Sequence, residues 1–249
     1  MLRQMRFAVF VAALFVAGTG QAQDWKHTLT PYLWGASMSG TTAIGPVSAD
    51  VDVGFDTILE NLKIGGMVSY RGENDRWALL LDAIYMDLEA NKTSSSGPIS
   101  IDATAGMQQT ALEAAAGIRL AERTLLIAGL RYNDLNADIR TIRTGPGAGG
   151  NQSASTSESW VDPIIGIITE IPFNDRWSLD LRGDIGGFGV GSDLAWQAVA
   201  AVRWRLKETL HLVGSYRYID MDYEDGSGAE YFQYDMAMSG PGFGVAFIF

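Results

Sequence analysis

From Trp25 onward, apolar and polar residues alternate with a period of two, the spacing of a strand that has one greasy face and one polar face. Across 177–189 one alternate set is Trp177, Leu179, Leu181, Gly183 and Ile185, and the other is Ser178, Asp180, Arg182 and Asp184. Residues 193–206 repeat the arrangement, with Leu194, Trp196, Ala198, Ala200, Val202, Trp204 and Leu206 against Gln197, Val199, Ala201, Arg203 and Arg205. Each alternating run covers about 13 residues, well beyond the five or six of a typical globular strand, and strands this long and two-faced predict the wall of a barrel.

The connections fit that wall. Short polar turns fall at 73–76, 121–123, 173–176 and 206–208, and longer connections rich in Gly and Ser fall at 91–105, 141–156, 187–193 and 222–230. Short and long connections alternate, as they do between the two ends of an up-and-down membrane barrel. Two turns are near copies, NDRWALLLD at 74–82 and NDRWSLDLR at 174–182. The predicted strands are 25–37, 63–73, 76–90, 106–120, 124–140, 157–172, 176–188, 193–206, 209–221 and 231–249. This gives a closed antiparallel all-β barrel of about ten strands (8–12), with the hairpin-like stretch 41–55 assigned to the first outer loop. Pro31, Pro163 and Pro241 cannot donate to a ladder, so bulges or short breaks are expected there.

Which face points inward decides the class. An inward apolar face would make a soluble barrel with a greasy cavity. With the apolar face outward, Trp196 and Trp204 lie eight residues apart. That is about 27 Å of strand, or about 20 Å when projected through a tilt near 40°, close to the ~25 Å apolar band of a membrane barrel with aromatic girdles. That spacing favours the outward arrangement, with Trp25, Trp77, Trp177, Trp196, Trp204 and Tyr216 as the expected girdle.

Composition sharpens this reading. The chain is 47% hydrophobic, carries 29 Gly, 7 Trp, 9 Tyr and 10 Phe, and has no Cys. That suits aromatic strands joined by Gly turns, and it excludes disulfides and thiolate chemistry. Residues 1–22 combine Arg3 and Arg6 with an apolar run from Phe7 to Ala17 and the small residues Gly20 and Ala22, a secretory signal pattern with cleavage expected after Ala22. Cleavage would leave 23–249 as one barrel domain and, by removing two Arg, would move the formal charge from −11 to −13. A chain this acidic is a poor partner for nucleic acid. No apolar stretch after Ala22 approaches the length of a spanning helix.

The last eight residues, GFGVAFIF, alternate Phe243, Val245, Phe247 and Phe249 with Gly242, Gly244, Ala246 and Ile248. With the signal pattern and the two-faced strands, this ending resembles the small outer-membrane barrels of Gram-negative bacteria (the OmpA, OmpX and OmpW type). It is more closely similar to uncharacterised proteins of that kind carrying PYLWGASMSG, FDTILENL, SWVDPIIGI and RGDIGGFGVGSD. The resemblance implies residence in the outer membrane, in contact with its lipid and lipopolysaccharide, and delivery through the barrel-assembly machinery. It also implies that Gly244, Phe247 and Phe249 act as the C-terminal insertion signal. A monomer without a cofactor is expected.

The alternation sends Arg71, Asp82, Glu113, Arg119, Arg131, Asp162, Asp180, Arg182, Asp184, Arg203, Arg205 and Arg217 into the lumen. Mixed signs at close quarters either pair and hold the barrel shut or line a narrow, selective path for small solutes. The segment Asp56 to Leu62 reads as one helical turn, with Thr57 and Glu60 at capping-box spacing and Ile58, Leu59 and Leu62 on one face as a possible plug. Some outer-membrane barrels are proteases, acyltransferases or lipid-A hydrolases, but here only His27 and His211 are available, and both fall at periplasmic strand starts. No catalytic residue is therefore assigned. The acidic stretch with Asp220, Asp222, Glu224, Asp225 and Glu230 matches no EF-hand spacing, so no metal is assigned. RTGPGAGG at 143–150 lacks the Gly-Lys-Ser/Thr ending of a phosphate loop. The remaining reading is an interaction or adhesion protein that uses its outer loops.

Overall fold

The computed structural model describes residues 25–96, 99–145 and 150–249. The predicted signal segment 1–22 and residues 146–149 of the Gly-rich run lie outside these described residues. Among the described residues twelve strands form: β1 (Lys26–Trp34), β2 (Ser37–Ile44), β3 (Val47–Val53), β4 (Leu62–Glu73), β5 (Trp77–Ser96), β6 (Ile99–Ala121), β7 (Thr124–Thr144), β8 (Asn151–Pro172), β9 (Trp177–Gly187), β10 (Leu194–Lys207), β11 (Leu210–Asp225) and β12 (Phe232–Ile248). One short helix, α1 (Phe55–Glu60), joins β3 to β4.

Ten strands make the closed antiparallel wall, in the order β1-β4-β5-β6-β7-β8-β9-β10-β11-β12, with β12 pairing back to β1. The chain end is part of the seam. The Phe249 N–H donates to the His27 carbonyl at 3.0 Å, the His27 N–H donates to the Phe249 carbonyl at 2.9 Å, and the two rings stack. Gly244 lies on the lumen side, where a Cβ would come within 2.9 Å of the Tyr32 Cβ. The other two strands form a hairpin: above Trp34 the chain leaves β4 and continues as β2 along the upper half of β12, then turns at Gly45, whose φ of 57° suits glycine.

The apolar faces point outward. Leu79, Leu130, Ile167, Leu181, Val202 and Phe243 are exposed on β5, β7, β8, β9, β10 and β12, whereas Arg131, Glu113, Asp162, Asp184 and Gln197 are buried inside. A soluble barrel would have the reverse arrangement. At one end of this band Trp177 and Trp204 stack with ring centroids 5.4 Å apart, and Trp25 and Trp77 are also exposed there. At the other end Trp196 stacks on Tyr218 at 4.7 Å, with Tyr216 exposed below.

The repeated NDRW turns share one mechanism. The Asn74 Oδ1 accepts the N–H groups of Arg76 (2.9 Å) and Trp77 (2.7 Å), and the Asn174 Oδ1 accepts those of Arg176 (2.9 Å) and Trp177 (3.1 Å). Replacing Asn174 with Ala removes both acceptors. It should cost about 1 kcal/mol in urea unfolding, with the equivalent change at Asn74 adding independently.

Several expectations are corrected. The segments 91–105 and 141–156 are mostly strand rather than loop: β5 and β6 pair in register out to Ser96 and Ile99, and β7 and β8 out to Ile142 and Asn151. Their Ser, Thr and Asn residues read as loop because both faces of these strand tips are wet. The prolines bring short breaks rather than bulges: Pro31 pairs with Val68 and Pro241 with Tyr216, but the β1–β12 ladder skips Thr30 and Pro31, and the β8–β9 ladder stops at Ile164, beside Pro163, where no β9 partner needs its N–H. Register shifts occur instead at Leu62/Ile64, Arg119/Ala121 and Arg205/Lys207. The capping box does not form, because α1 starts after Gly54 with no side-chain cap, and Asn61 closes its end by donating to the Thr57 carbonyl at 2.7 Å.

Candidate functional site: the charged lumen

The barrel register places Asp82, Glu113, Arg131 and Asp162 side by side on β5, β6, β7 and β8. Two neighbouring carboxylates in one row repel, so compensation must come from across the lumen. Arg182 on β9 and Arg217 on β11 supply it.

A closed ring results. Arg131 Nη2 donates to Glu113 Oε2 (2.9 Å) and Asp184 Oδ1 (2.7 Å), while Arg182 Nη2 donates to Glu113 Oε1 (2.6 Å) and Arg182 Nε to Asp184 Oδ2 (2.7 Å). Gln197 Nε2 adds a bond to Asp184 Oδ2 at 2.8 Å. The ring has two positive and two negative charges, and Arg131 and Asp184 are 1% and 4% exposed. Beside it the Tyr32 hydroxyl donates to Asp82 Oδ1 at 2.9 Å and accepts from Arg217 Nη1 at 3.3 Å. The Arg217 guanidinium also lies 3.7 Å from Asp82 and 5.1 Å from the centre of the Trp34 ring. Together these groups draw on β1, β5, β6, β7, β9, β10 and β11, so the layer spans the lumen.

Below it, toward the end that holds both chain termini of the wall, Glu73 accepts from Arg71 (2.8 Å) and Arg119 (3.0 Å). Arg119 also bonds the Asn74 and Glu122 carbonyls, which ties two turns together. Arg203 pairs with Asp180. Two expected members of the charge network fall outside it. Arg205 is exposed at the mouth, with no ion pair among the described residues. Asp162 is fully buried but accepts only neutral donors: the Ser192 N–H (2.6 Å) and hydroxyl (3.0 Å), Trp160 Nε1 (3.2 Å) and Asn133 Nδ2 (3.5 Å). It faces the 187–193 connection rather than the lumen cations.

Above the ring the lumen turns apolar. Met38, Met86, Met221, Met238, Ile219 and Trp34 surround a cavity with only about 40 Å³ free. Trp160, Tyr223, Tyr234 and Phe232 roof it, with Trp160 stacked on Tyr223 at 4.2 Å. The helix α1 contributes Ile58 alone to this packing. Leu59 and Leu62 are 56% and 36% exposed and point outward, which corrects the three-residue plug.

Sequence reading missed Tyr32, Glu73, Gln197 and Ser192. The first three sit at lumen-facing alternate positions and were legible by parity, but as isolated polar residues they gave no signal of a partner. His27 bonds Tyr70 at 2.7 Å, and both His27 and His211 lie at the end of the barrel that holds the wall termini. Among the described residues no three His, Asp or Glu side chains are placed to hold a metal ion. Beyond the stacked Trp196 and Tyr218, partial burial and the negative charges of Asp235, Asp193, Glu224 and Asp220 raise the Asp222 carboxyl. The exposed Lys63 and Glu89 bond at 2.8 Å, which raises the lysine and lowers the carboxyl.

No family model matches the chain, and no curated protein matches it. Among solved structures it is similar to the outer-membrane protease OmpT of Escherichia coli, with 6% identity, 92% of this chain and 98% of that one covered, and a TM-score of 0.52. It also aligns with the translocator domain of the autotransporter NalP of Neisseria meningitidis (13% identity, 92% and 90% covered, TM-score 0.43). A third alignment is with Ail, the attachment invasion locus protein of Yersinia pestis (14% identity, 92% and 100% covered, TM-score 0.37). The likeness to OmpT is one of fold: a closed antiparallel β-barrel of the outer-membrane kind.

Proposed function

We propose that this chain is a monomeric outer-membrane barrel held shut at rest, serving as a structural envelope protein rather than as an open pore or an enzyme. The carrying observation is the ring of Arg131, Glu113, Arg182 and Asp184, which crosses the lumen with its charges paired and is sealed above by the Met-rich packing. An aqueous path would need rings of charge with water between them. Here the charges spend their hydrogen bonds on one another. The outward apolar band and its tryptophans support placement in a bilayer, with Trp25, Trp77, Trp177 and Trp204 as the periplasmic girdle and Trp196 and Tyr216 toward the outer one. Gly244, Phe247 and Phe249 at the seam fit an insertion signal read during assembly. Against enzyme chemistry, the only two histidines stand at the mouth opposite the long outer strands.

Liposome swelling tests this directly. Vesicles carrying the folded barrel should swell in glycine or small sugars no faster than empty vesicles, and swelling at porin-like rates would contradict the proposal.

A second reading has its own observation. Above Tyr85, β5 continues for eleven residues to Ser96, about 35 Å of strand, and β6, β7 and β8 rise with it. Such a projecting sheet suits a surface contact. The register gives clean truncation points: shortening both hairpins at Ala90/Ala105 and Asp138/Ser155 keeps the remaining pairs aligned. Lost adhesion to other cells with unchanged folding would favour this reading.

A further inference from the structure

Between β3 and β4 the wall has a break. β1 pairs with β4 only as far as Tyr32 and Met67, and above that point the chain leaves for β2, which pairs with β12 and β3. β3 pairs with β2 alone. Among the described residues no strand therefore covers the edge of β4 from Leu62 to Gly66, about 15 Å of strand whose other edge carries β5. The break opens within the apolar band. Leu33, just above the last β1–β4 pair, is exposed and pairs with Phe243, and two residues on the Gly35 N–H donates to the carbonyl of Pro241, the partner of Tyr216. Ile64 on β4 and Leu59 on α1 are exposed as well.

A bare sheet edge is not tolerated against hydrocarbon, so the break needs a cover, and α1 supplies it. The helix is tied at its start by the Phe55 N–H, which donates to Ser37 Oγ (3.2 Å), and at its end by the Asn61 carbonyl, which accepts from the Glu89 N–H (2.9 Å). Between these ties Ile58 turns inward. Behind it lies the apolar cavity lined by Met38, Met67, Met86, Met221 and Met238. Unbranched thioether side chains repack around an irregular guest, where branched ones would hold one shape.

We infer that this break is a side entrance from the bilayer, stoppered by Ile58, and that the Met-lined space behind it binds the end of one acyl chain of an outer-leaflet lipid. The exposed apolar residues around the break put hydrocarbon directly outside it. A charged or strongly hydrated ligand would have to cross the apolar band to arrive there. The pocket is blind, because its floor is the charge ring, and to that extent the inference rests on the closed-lumen reading.

Photo-cross-linking of the wild-type barrel tests this. The folded protein is placed in vesicles containing a phospholipid with a diazirine at the end of one acyl chain, irradiated and digested, and the adducts are mapped by mass spectrometry. Outward residues such as Leu79 and Phe243 should be marked as background, and Met38, Met86, Met221 or Met238 should be marked as well. A diazirine moved next to the headgroup should lose these inner adducts. Gly65→Leu adds bulk on the bare edge, where a Cβ comes no closer than 3.5 Å to the Leu62 side chain, and it should lose the inner adducts while keeping the outward ones. Ile58→Ala, which shortens the stopper, should increase them. Inner adducts unchanged in both variants would mean that the chain enters elsewhere, which overturns the entrance. Adducts confined to outward residues in the wild-type protein would overturn the pocket and leave the closed lumen standing. Adducts below the ring, at Ala201 or Ser215, would show that the ring is no floor and overturn the closed lumen and the blind pocket together.

Discussion

Replacing Arg131 with Met should destabilise the barrel by about 3–5 kcal/mol in urea unfolding followed by tryptophan fluorescence, the usual cost of removing one partner of a buried ion pair. Arg131 is among the most buried side chains, and it is the only cation adjacent in register to the row of Asp82 and Glu113. Without it Arg182 is the one ring cation left for Glu113 and Asp184, with Gln197 a neutral donor to the latter. A second substitution discriminates ion pairing from packing. Arg131→Met combined with Glu113→Gln removes one charge of each sign, and it should recover part of the loss, giving a coupling on the order of 1–3 kcal/mol in a double-mutant cycle. Additive losses would mean that the two side chains matter for their volume and not for their charge. The single variant should also leak ions, because an unpaired carboxylate in the lumen recruits water.

Asp162→Ala should release the 187–193 connection. This tight turn holds three successive residues at positive φ, Gly187 (85°), Phe188 (53°) and Gly189 (71°), and Phe188 pays for that conformation with a side chain. The anchor is the Asp162 carboxylate, which takes both the Ser192 N–H and its hydroxyl while also accepting from Trp160. Losing a buried charged acceptor of several donors should cost about 3 kcal/mol. Chymotrypsin should then cut after Phe188, which is already half exposed, while the barrel below stays resistant. Asp162→Asn keeps one acceptor oxygen and should be cut more slowly. Equal resistance of all three proteins would show that the turn is held by something other than Asp162.

The wall was legible in the sequence because a period of two survives whatever the strands pair with: Leu179, Leu181 and Asp180, Arg182 sort themselves without knowledge of register. Lumen parity was legible for the same reason. Pairing was not. That Arg217 meets Asp82 while Arg182 meets Glu113 depends on how far each strand is shifted when the barrel closes, and no local pattern carries that shift. Asp162 has the same parity as the ring members, yet one strand further round it meets Ser192 instead of a cation. The tips of β5 to β8 were hidden by their own solvation, since Ser, Thr and Asn on both faces give no alternation. The helix was legible as a helix, but its single inward residue, Ile58, followed from where β3 delivers the chain, not from the spacing of Ile58, Leu59 and Leu62.

The central claim is a lumen closed by paired charge, and single-channel recording of the refolded protein in a planar bilayer tests it most directly, with heat-modifiable gel mobility establishing that the barrel has folded. The wild-type barrel should show a flat baseline, with discrete openings appearing only once Arg131 is replaced. Stable, ion-selective steps from the folded wild-type protein would contradict the account and make the ring of Arg131, Glu113, Arg182 and Asp184 the lining of a channel.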